Sequence, residues 1–156
     1  MTAGPAPVVR VPRDVRDAIV AHARASLPDE CCGLCIGTRD RIVEAVPAAN
    51  VRRSPTRYQI DPRDHVDALR RARVRHLRVC GAYHSHPGAP AQPSATDAAE
   101  MNDPSLLYVI VSLRDRPDVQ AFRWKDGAFA PVRLVIEDIA GPTAAFRLDA
   151  DPAGDG

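Results

Sequence analysis

The sequence is poor in several residue types, and each scarcity excludes a class of protein. Aromatic residues make up only 4% of the 156 residues, so a packed core has to be built from Val, Ile, Leu and Ala. Lys125 is the only lysine, and 21 basic against 20 acidic residues leave a net charge of +1. This balance gives no reason to expect a nucleic acid or an anionic membrane as a partner.

Long apolar runs are also missing. No run approaches the roughly 18 residues that a membrane span needs, and residues 1–7 lack the apolar stretch of a signal peptide. The four cysteines are too few and too clustered for a secreted disulfide scaffold. We therefore expect a cytoplasmic protein.

The length is typical of one domain, which we place over residues 8–140. Residues 1–7 and the Ala/Gly/Asp/Pro-rich residues 141–156 are predicted to be disordered. Strands are predicted over residues 8–11, 31–37, 41–46, 58–60, 79–85, 106–113, 119–124 and 129–136. Helices are predicted over residues 12–27, from Asp61-Pro62 onward, and over residues 94–101. This order predicts a mixed α/β fold, a curved, largely antiparallel sheet flanked by helices.

Both longer helices carry an apolar stripe at helical spacing. In the first helix the stripe consists of Val15, Ala18, Ile19 and Ala23. In the second helix it consists of Val66, Leu69, Val74 and Leu77, and the other face is rich in arginine. We expect the stripes to pack on the sheet and the arginines to be solvated.

The most informative segment runs from His84 to Asp97. Side chains alternate along a strand, so His84 and His86 point to the same side and their imidazoles can converge on one ion. Asp97 follows a loop that contains three prolines, and it lies in the first turn of a short helix that Ser94 begins. Two imidazoles and one carboxylate leave a fourth position open, which is typical of a catalytic zinc rather than a structural one.

Each half of this segment has a more common explanation when it stands alone. A single His-x-His on a strand is more often a surface or core pair, and Ser-x-x-Asp is more often a helix N-terminal cap. Their occurrence together, directly after an apolar strand, makes the joint pattern specific for one zinc site at His84, His86 and Asp97.

The same residues resemble a known family. His84-Ser85-His86-Pro87, with seven residues between His86 and Ser94 and two between Ser94 and Asp97, matches the JAMM motif of the MPN-domain metallopeptidases. That family also places a glutamate far upstream, at the start of a strand. Glu30, within the stretch from residue 27 to 34, matches this glutamate.

The resemblance implies an MPN-like domain related to the cytidine-deaminase fold, and hydrolysis of an amide or isopeptide bond. Zinc would supply a nucleophile at neutral pH, and Glu30 would be the general base. Ser94 would donate a hydrogen bond to the carbonyl oxygen as it becomes an oxyanion. Ser85 lies between the two histidines and should face away, so it receives no catalytic role.

The resemblance also implies a substrate class, because JAMM enzymes characteristically cleave after the C-terminal Gly-Gly of ubiquitin-fold proteins. Only nine residues separate Asp97 from Leu107, which leaves no room for a long insertion after the ligand. The chain therefore resembles the compact prokaryotic branch. Asn50, residues 54–56, Tyr58 and the Asp61-Pro62 helix start are similar to bacterial members that release cysteine or another adduct from a sulfur carrier.

Three functional hypotheses remain open at this point. The first is a zinc peptidase acting on the Gly-Gly tail of a ubiquitin-like or sulfur-carrier protein. The second is a deconjugating isopeptidase of a bacterial ubiquitin-like or defence pathway, and the third is a non-catalytic MPN scaffold. The intact motif argues against the third, and gene neighbours would separate the first two. The leaving group and the oligomeric state, including a homodimer, stay open.

The remaining metal-binding residue types favour ordinary structural roles. Cys32-x-x-Cys35 could form a redox or metal pair. However, two residues three apart on a strand face opposite sides, so small buried hydrophobes are the better interpretation. Core or surface positions are expected for Cys80, His22, His65 and His76.

Overall fold

The computed structural model describes residues 7–138. Its elements in chain order are β1 (Val8–Pro12), α1 (Arg13–Ser26), β2 (Cys32–Gly37), β3 (Ile42–Ala48), α2 (Pro62–Val74), β4 (Arg78–His86), α3 (Ala95–Ala99), β5 (Leu107–Ser112), β6 (Asp118–Lys125) and β7 (Ala128–Glu137). The predicted disorder of residues 1–7 and 141–156 lies outside the described residues, apart from Pro7.

All seven strands form one sheet in the order β1-β7-β6-β5-β4-β2-β3. The pairs β1–β7 and β4–β5 are parallel. The other four pairs are antiparallel. The predicted mixed α/β fold with a largely antiparallel sheet is therefore confirmed. None of the described helices is long and apolar enough to span a membrane.

Helix α1 packs on one face of the sheet much as its sequence predicts. Val15, Ile19 and Ala23 are buried in the main core, where they join Val20. Ala18 is exposed, so the buried stripe is centred one residue further along than predicted.

The predicted stripe of α2 is wrong. Its buried residues are Ala68 and Ala72, whereas Val66, Leu69 and Val74 are 44%, 49% and 80% exposed. Leu77 lies beyond the end of the helix and is half-buried. Because alanine has only a methyl group, the helix can lie close to the sheet along its small face, and the larger side chains stay outside.

An ion-pair cluster accompanies this orientation of α2. Arg71 and Arg75, which were expected to be solvated, both bind the carboxylate of Glu44 on β3. Two salt bridges to one strand therefore favour the orientation that exposes the larger apolar residues. All three side chains are partly exposed, so each pair contributes only about 0.2–1 kcal/mol.

Two further boundaries differ from the predictions. Residues 58–60 do not form a strand; only an isolated bridge joins Asn50 to Ile60. The third helix is shorter than residues 94–101. In contrast, the start of α2 agrees with prediction, because the Asp61 carboxylate accepts a hydrogen bond from the Arg63 N–H at 2.9 Å and Pro62 occupies the first turn.

Candidate functional site

Strand β4 lies inside the sheet, between β2 and β5, and carries the two motif histidines at its carboxyl end. Both His84 and His86 are buried. Because they are two residues apart on one strand, their rings lie on the same side of the sheet, with the two Nε2 atoms 3.2 Å apart. A strand paired on both edges is a rigid support for a site.

The loop after β4 is fixed to the end of the sheet by three contacts. The Nδ1 of His86 lies 2.8 Å from the carbonyl oxygen of Pro90. The Ser112 hydroxyl of β5 donates a hydrogen bond to the carbonyl of Ala89 at 2.6 Å, and Ala91 is buried. The prolines and these contacts together define where the next helix begins.

Helix α3 begins with a capping box that places the carboxylate of Asp97. The Asp97 N–H donates to the Ser94 hydroxyl at 3.0 Å, and the Ser94 N–H donates to Asp97 Oδ2 at 2.9 Å. The predicted cap at Ser94 is therefore present. The Asp97 carboxylate is held on the side that faces the histidines.

The structure brings the three predicted metal ligands together. Asp97 Oδ1 lies 3.2 Å from His84 Nε2, and Asp97 Oδ2 lies 3.1 Å from His86 Nε2. Ligand atoms bound tetrahedrally to zinc at about 2.0–2.1 Å are about 3.3 Å apart. Both the spacing and the chemistry of this donor set therefore fit one zinc ion, and we find no conflict with that ion among the described residues.

The Nδ1 atoms of the two imidazoles, which lie on the opposite side of each ring from the shared Nε2 cluster, have different surroundings. A hydrogen bond from His86 Nδ1 to Pro90 would leave the Nε2 lone pair of that ring facing the other ligands, as metal-binding histidines require. The buried Nδ1 of His84 has no hydrogen-bond partner among the described residues. Instead, the ring of Tyr58 stacks on His84, with ring centres 4.4 Å apart and planes 17° apart.

The charges in this cluster are strongly coupled. Burial lowers the pKa of His84. For His86 burial acts in the same direction, but the hydrogen bonds to Asp97 and Pro90 prevail and its pKa is raised. For Asp97 burial is outweighed by hydrogen bonds to both histidines, so its pKa is lowered and it stays a carboxylate.

Glu30 approaches the cluster from the neighbouring strand. Cys32 on β2 pairs with His84, so the register continued two residues back brings Glu30 beside His86. The Cys31 N–H donates to the Ser85 hydroxyl at 2.7 Å, which fastens this end of the chain to β4. Ser85 thus faces away from the ligands, as predicted, but it anchors the neighbour of Glu30.

The carboxyl group of Glu30 is buried. Glu30 is only 4% exposed, and its Oε1 has no hydrogen-bond partner among the described residues. Burial raises its pKa to about 8, with smaller opposing and reinforcing effects from His86 and Asp97. A carboxyl group with such a pKa can exchange a proton near neutral pH.

A cavity of about 410 Å³ adjoins the cluster, with His84 and Asp97 in its lining. The loop between β3 and α2 (residues 49–61, the β3–α2 loop) lines one side of it, and α3 with the residues after it lines the other. The ion pair between Arg52 and Glu100, 3.0 Å long, joins these two sides. The apolar part of the lining comprises Leu34, Ile60, Ala82, Met101, Leu106, Tyr108, Ile110 and Phe129.

Sequence reasoning did not assign roles to two residues of the β3–α2 loop. Tyr58 packs against a predicted metal ligand, and Asn50 forms four side-chain hydrogen bonds within the loop and to Glu30. The only sequence signal for either residue was similarity in short loop stretches, because no spacing rule connects a loop residue to a distant strand.

The other candidates have the structural roles that the sequence favoured. All four cysteines are buried and free of disulfide bonds. His22 Nδ1 lies 2.7 Å from the hydroxyl of Tyr83, inside the packing of α1 against the sheet. His65 and His76 are exposed.

Comparison with known proteins identifies the family. The profile of prokaryotic homologs of the JAB domain matches residues 12–125. The chain belongs to the prokaryotic JAB-domain family.

Two characterised relatives of this JAB-domain protein span nearly the same length. The CysO-cysteine peptidase of Mycobacterium tuberculosis is 37% identical over 134 residues, which cover 82% of this chain and 92% of the relative. The desampylase of Haloferax volcanii is 33% identical over 131 residues, which cover 80% and 93%. The predicted enzyme class, a JAMM-type hydrolase of the compact prokaryotic branch, is therefore confirmed.

The fold agrees with a solved structure of similar size. The solution structure of a protein from Desulfitobacterium hafniense superposes with a TM-score of 0.78 at 32% identity, covering 83% of this chain and 93% of that one. The JAB-domain fold thus extends over nearly all of the described residues.

Proposed function

We propose that this protein is a cytoplasmic, zinc-dependent peptidase that cleaves after the C-terminal Gly-Gly of a small ubiquitin-like or sulfur-carrier protein, for example releasing cysteine. The observation that carries the proposal is the cluster of His84, His86 and Asp97 donor atoms, 3.1–3.2 Å apart, with the buried carboxyl of Glu30 beside it.

Similarity to the mycobacterial CysO-cysteine peptidase supports this choice of substrate. The match covers 92% of that relative's own length. The name of that relative describes a peptidase that acts on CysO-cysteine, which agrees with the small leaving group proposed here.

The side chains suit hydrolysis of an amide bond. When bound, zinc acts as a Lewis acid and lowers the pKa of a water molecule toward roughly 7. Glu30 takes a proton from the attacking water and later passes it to the leaving amine. The histidines and Asp97 would hold the ion. Burial raises the pKa of Glu30 to about 8, so its ionised and protonated forms are close in free energy near neutral pH and both transfers are accessible.

Ser94 has two roles in this proposal. In the structure its hydroxyl accepts the Asp97 N–H, which leaves the hydroxyl hydrogen available as a donor. Ser94 is exposed at the mouth of the site. It therefore donates a hydrogen bond to the carbonyl oxygen of the scissile bond as negative charge develops there.

The cavity beside the ligands is the binding site proposed for the substrate tail. Two glycines offer no side chains to recognise, so the tail binds extended, through main-chain hydrogen bonds of the strand-addition type. Glycine also permits close approach to the zinc through a narrow passage. The proline-containing loop of residues 87–93 does not line the cavity itself, and it is the wall proposed for this passage. The globular body of the carrier then docks farther out and provides specificity.

The test uses a ubiquitin-like protein that a neighbouring gene encodes, extended at its C-terminus by one cysteine. Its mass is measured by mass spectrometry before and after incubation with the zinc-loaded enzyme. We expect loss of the cysteine, and strong suppression when the last glycine of the tail is changed to Val. A free tail peptide should be cut far more slowly than the folded carrier. Equal kcat/KM for both would indicate a general peptidase instead.

Similarity to the desampylase favours a second candidate, a deconjugating isopeptidase of a bacterial ubiquitin-like or defence pathway. The two candidates differ in the leaving group, which is a single amino acid in one case and a lysine side chain of a protein in the other. Parallel assays with the cysteine-extended carrier and with a carrier–lysine isopeptide conjugate therefore separate them by their kcat/KM ratio.

A further inference from the structure

The side chain of Asn50 connects distant parts of the site. Its Nδ2 donates hydrogen bonds to the carbonyl oxygens of Glu30 at 3.1 Å and Arg57 at 3.0 Å. Its Oδ1 accepts hydrogen bonds from the N–H groups of Arg52 and Gln59, both at 3.0 Å. A carboxamide has two donor hydrogens and two acceptor lone pairs, so Asn50 uses its full hydrogen-bonding capacity.

The main chain of Glu30 depends on the same loop. Strand β2 begins only at Cys32, so the peptide groups of Glu30 lie before the ladder of the sheet. The Glu30 N–H donates to the carbonyl of Ser54 at 2.8 Å, and the Glu30 carbonyl accepts from Asn50 at 3.1 Å. Both polar groups of the Glu30 backbone are therefore bound by the β3–α2 loop.

The carboxyl group of Glu30 has no comparable support. Its Oε1 is buried and lacks a hydrogen-bond partner among the described residues. The position of this carboxyl group is therefore set by the backbone from which it projects. A displacement of about 1 Å at a reacting group can reduce the reaction rate by about 10²-fold.

We propose that Asn50 is a positioning residue for the reaction: it fixes the β3–α2 loop against the backbone of Glu30 and thereby aims the general base. This inference rests on the proposed function of Glu30. The side-chain hydrogen bonds of Asn50 all go to backbone groups, and none of them goes to a predicted metal ligand. Through the same loop it also holds Tyr58 against the ring of His84.

The test is the isosteric variant Asn50→Asp, loaded with zinc. In this variant one carboxylate oxygen still accepts hydrogen bonds from the Arg52 and Gln59 N–H groups. The other carboxylate oxygen replaces the NH₂ donor and faces the carbonyl oxygens of Glu30 and Arg57, to which it cannot donate. The matched control is Thr38→Ala, which removes the hydrogen bond from the Thr38 hydroxyl to Asp40 at 3.0 Å in the turn after the other end of β2. Thr38 is exposed and lies outside both the β3–α2 loop and the cavity lining.

Two independent measurements are made on each variant. Amide hydrogen exchange of Glu30 should accelerate about tenfold or more in Asn50→Asp, because local opening becomes easier, and should be unchanged in Thr38→Ala. The kcat for the cysteine-extended carrier should fall about 10- to 100-fold at nearly unchanged KM and full zinc content. The control should keep its kcat although its Tm falls.

The outcomes separate this inference from the proposed function. Unchanged exchange at Glu30 in Asn50→Asp overturns the inference whatever the substrate is. The inference is also overturned if kcat is unchanged or if only KM rises, because Asn50 then has no role in positioning the base. Failure of both Asn50→Asp and Asn50→Ser to fold overturns it as well, because the role is then purely structural. A wild-type enzyme that does not cleave the carrier contradicts the proposed function, and the exchange measurement still decides the role of Asn50.

Discussion

The two sides of the candidate site are built differently. The metal side, with His84, His86 and Asp97, comes from 14 consecutive residues fixed by an internal strand and a capping box. The base side joins Glu30 to the β3–α2 loop. Loop hydrogen bonds hold both polar groups of the Glu30 backbone, while the adjacent Cys31 is bound to Ser85 of β4. A short, rigid segment can be recognised by its spacing, whereas a side assembled from distant segments depends on contacts that spacing does not reveal.

This comparison predicts that substitutions on the two sides have separable effects. The largest effect is expected for the double variant His84→Ala, His86→Ala, which removes both nitrogen ligands. Zinc binding and turnover should both be lost, because one carboxylate cannot hold the ion. Metal analysis of the purified protein measures this, with the wild type binding one zinc per chain. Full zinc occupancy in the double variant would contradict the assigned ligands.

A smaller but still large effect is expected on the base side. Glu30→Gln keeps the shape of the side chain but cannot accept a proton, so kcat should fall by about 10² to 10⁴. Zinc content should remain at one ion per chain, unlike in the histidine variant. Metal analysis and steady-state kinetics on the same sample test both statements. Near wild-type turnover would show that another group is the base and that the two sides are not divided as proposed.

The smallest effect is expected for cysteines that belong to neither side. Replacing Cys32 and Cys35 by Ala removes buried packing and weak contacts of the Cys32 Sγ to the carbonyl oxygens of Ala49 at 3.6 Å and Ala48 at 3.9 Å. A stability loss of about 1 kcal/mol per site is expected, with kcat and zinc content nearly unchanged. Thermal unfolding and metal analysis provide the check. Zinc content that fell in step with these changes would revive the Cys-x-x-Cys pair as a ligand set.

The difference between the two sides also explains what the sequence could predict. Apart from the strand wrongly predicted at residues 58–60, the order of strands and helices followed from local periodicity, and the convergence of the three predicted ligands followed from short spacing. The roles of Asn50 and Tyr58 did not, because they depend on how a loop without regular structure folds back. The same limit applies to the parallel pairing of β1 with β7, which joins opposite ends of the chain.

The helices give a second example of this limit. For α1 the apolar stripe at helical spacing was the buried one, apart from Ala18. For α2 the apolar stripe did not predict the buried face. The helix packs on the sheet through Ala68 and Ala72, and arginines on the same side bind Glu44. Periodicity predicts that a helix is amphipathic, but the size of the gap it must fill decides which face is buried.

The burial of the cysteines has a practical consequence for handling the protein. Burial raises the pKa of Cys31 and Cys80 to about 11 and that of Cys32 to about 12, and it raises that of Cys35 well above its usual value. The reactive thiolate is therefore scarce at neutral pH, and air oxidation and alkylating reagents should act slowly on the folded chain. Dithiols that chelate zinc can consequently be left out of storage buffers, which keeps the metal titrations free of a competing ligand.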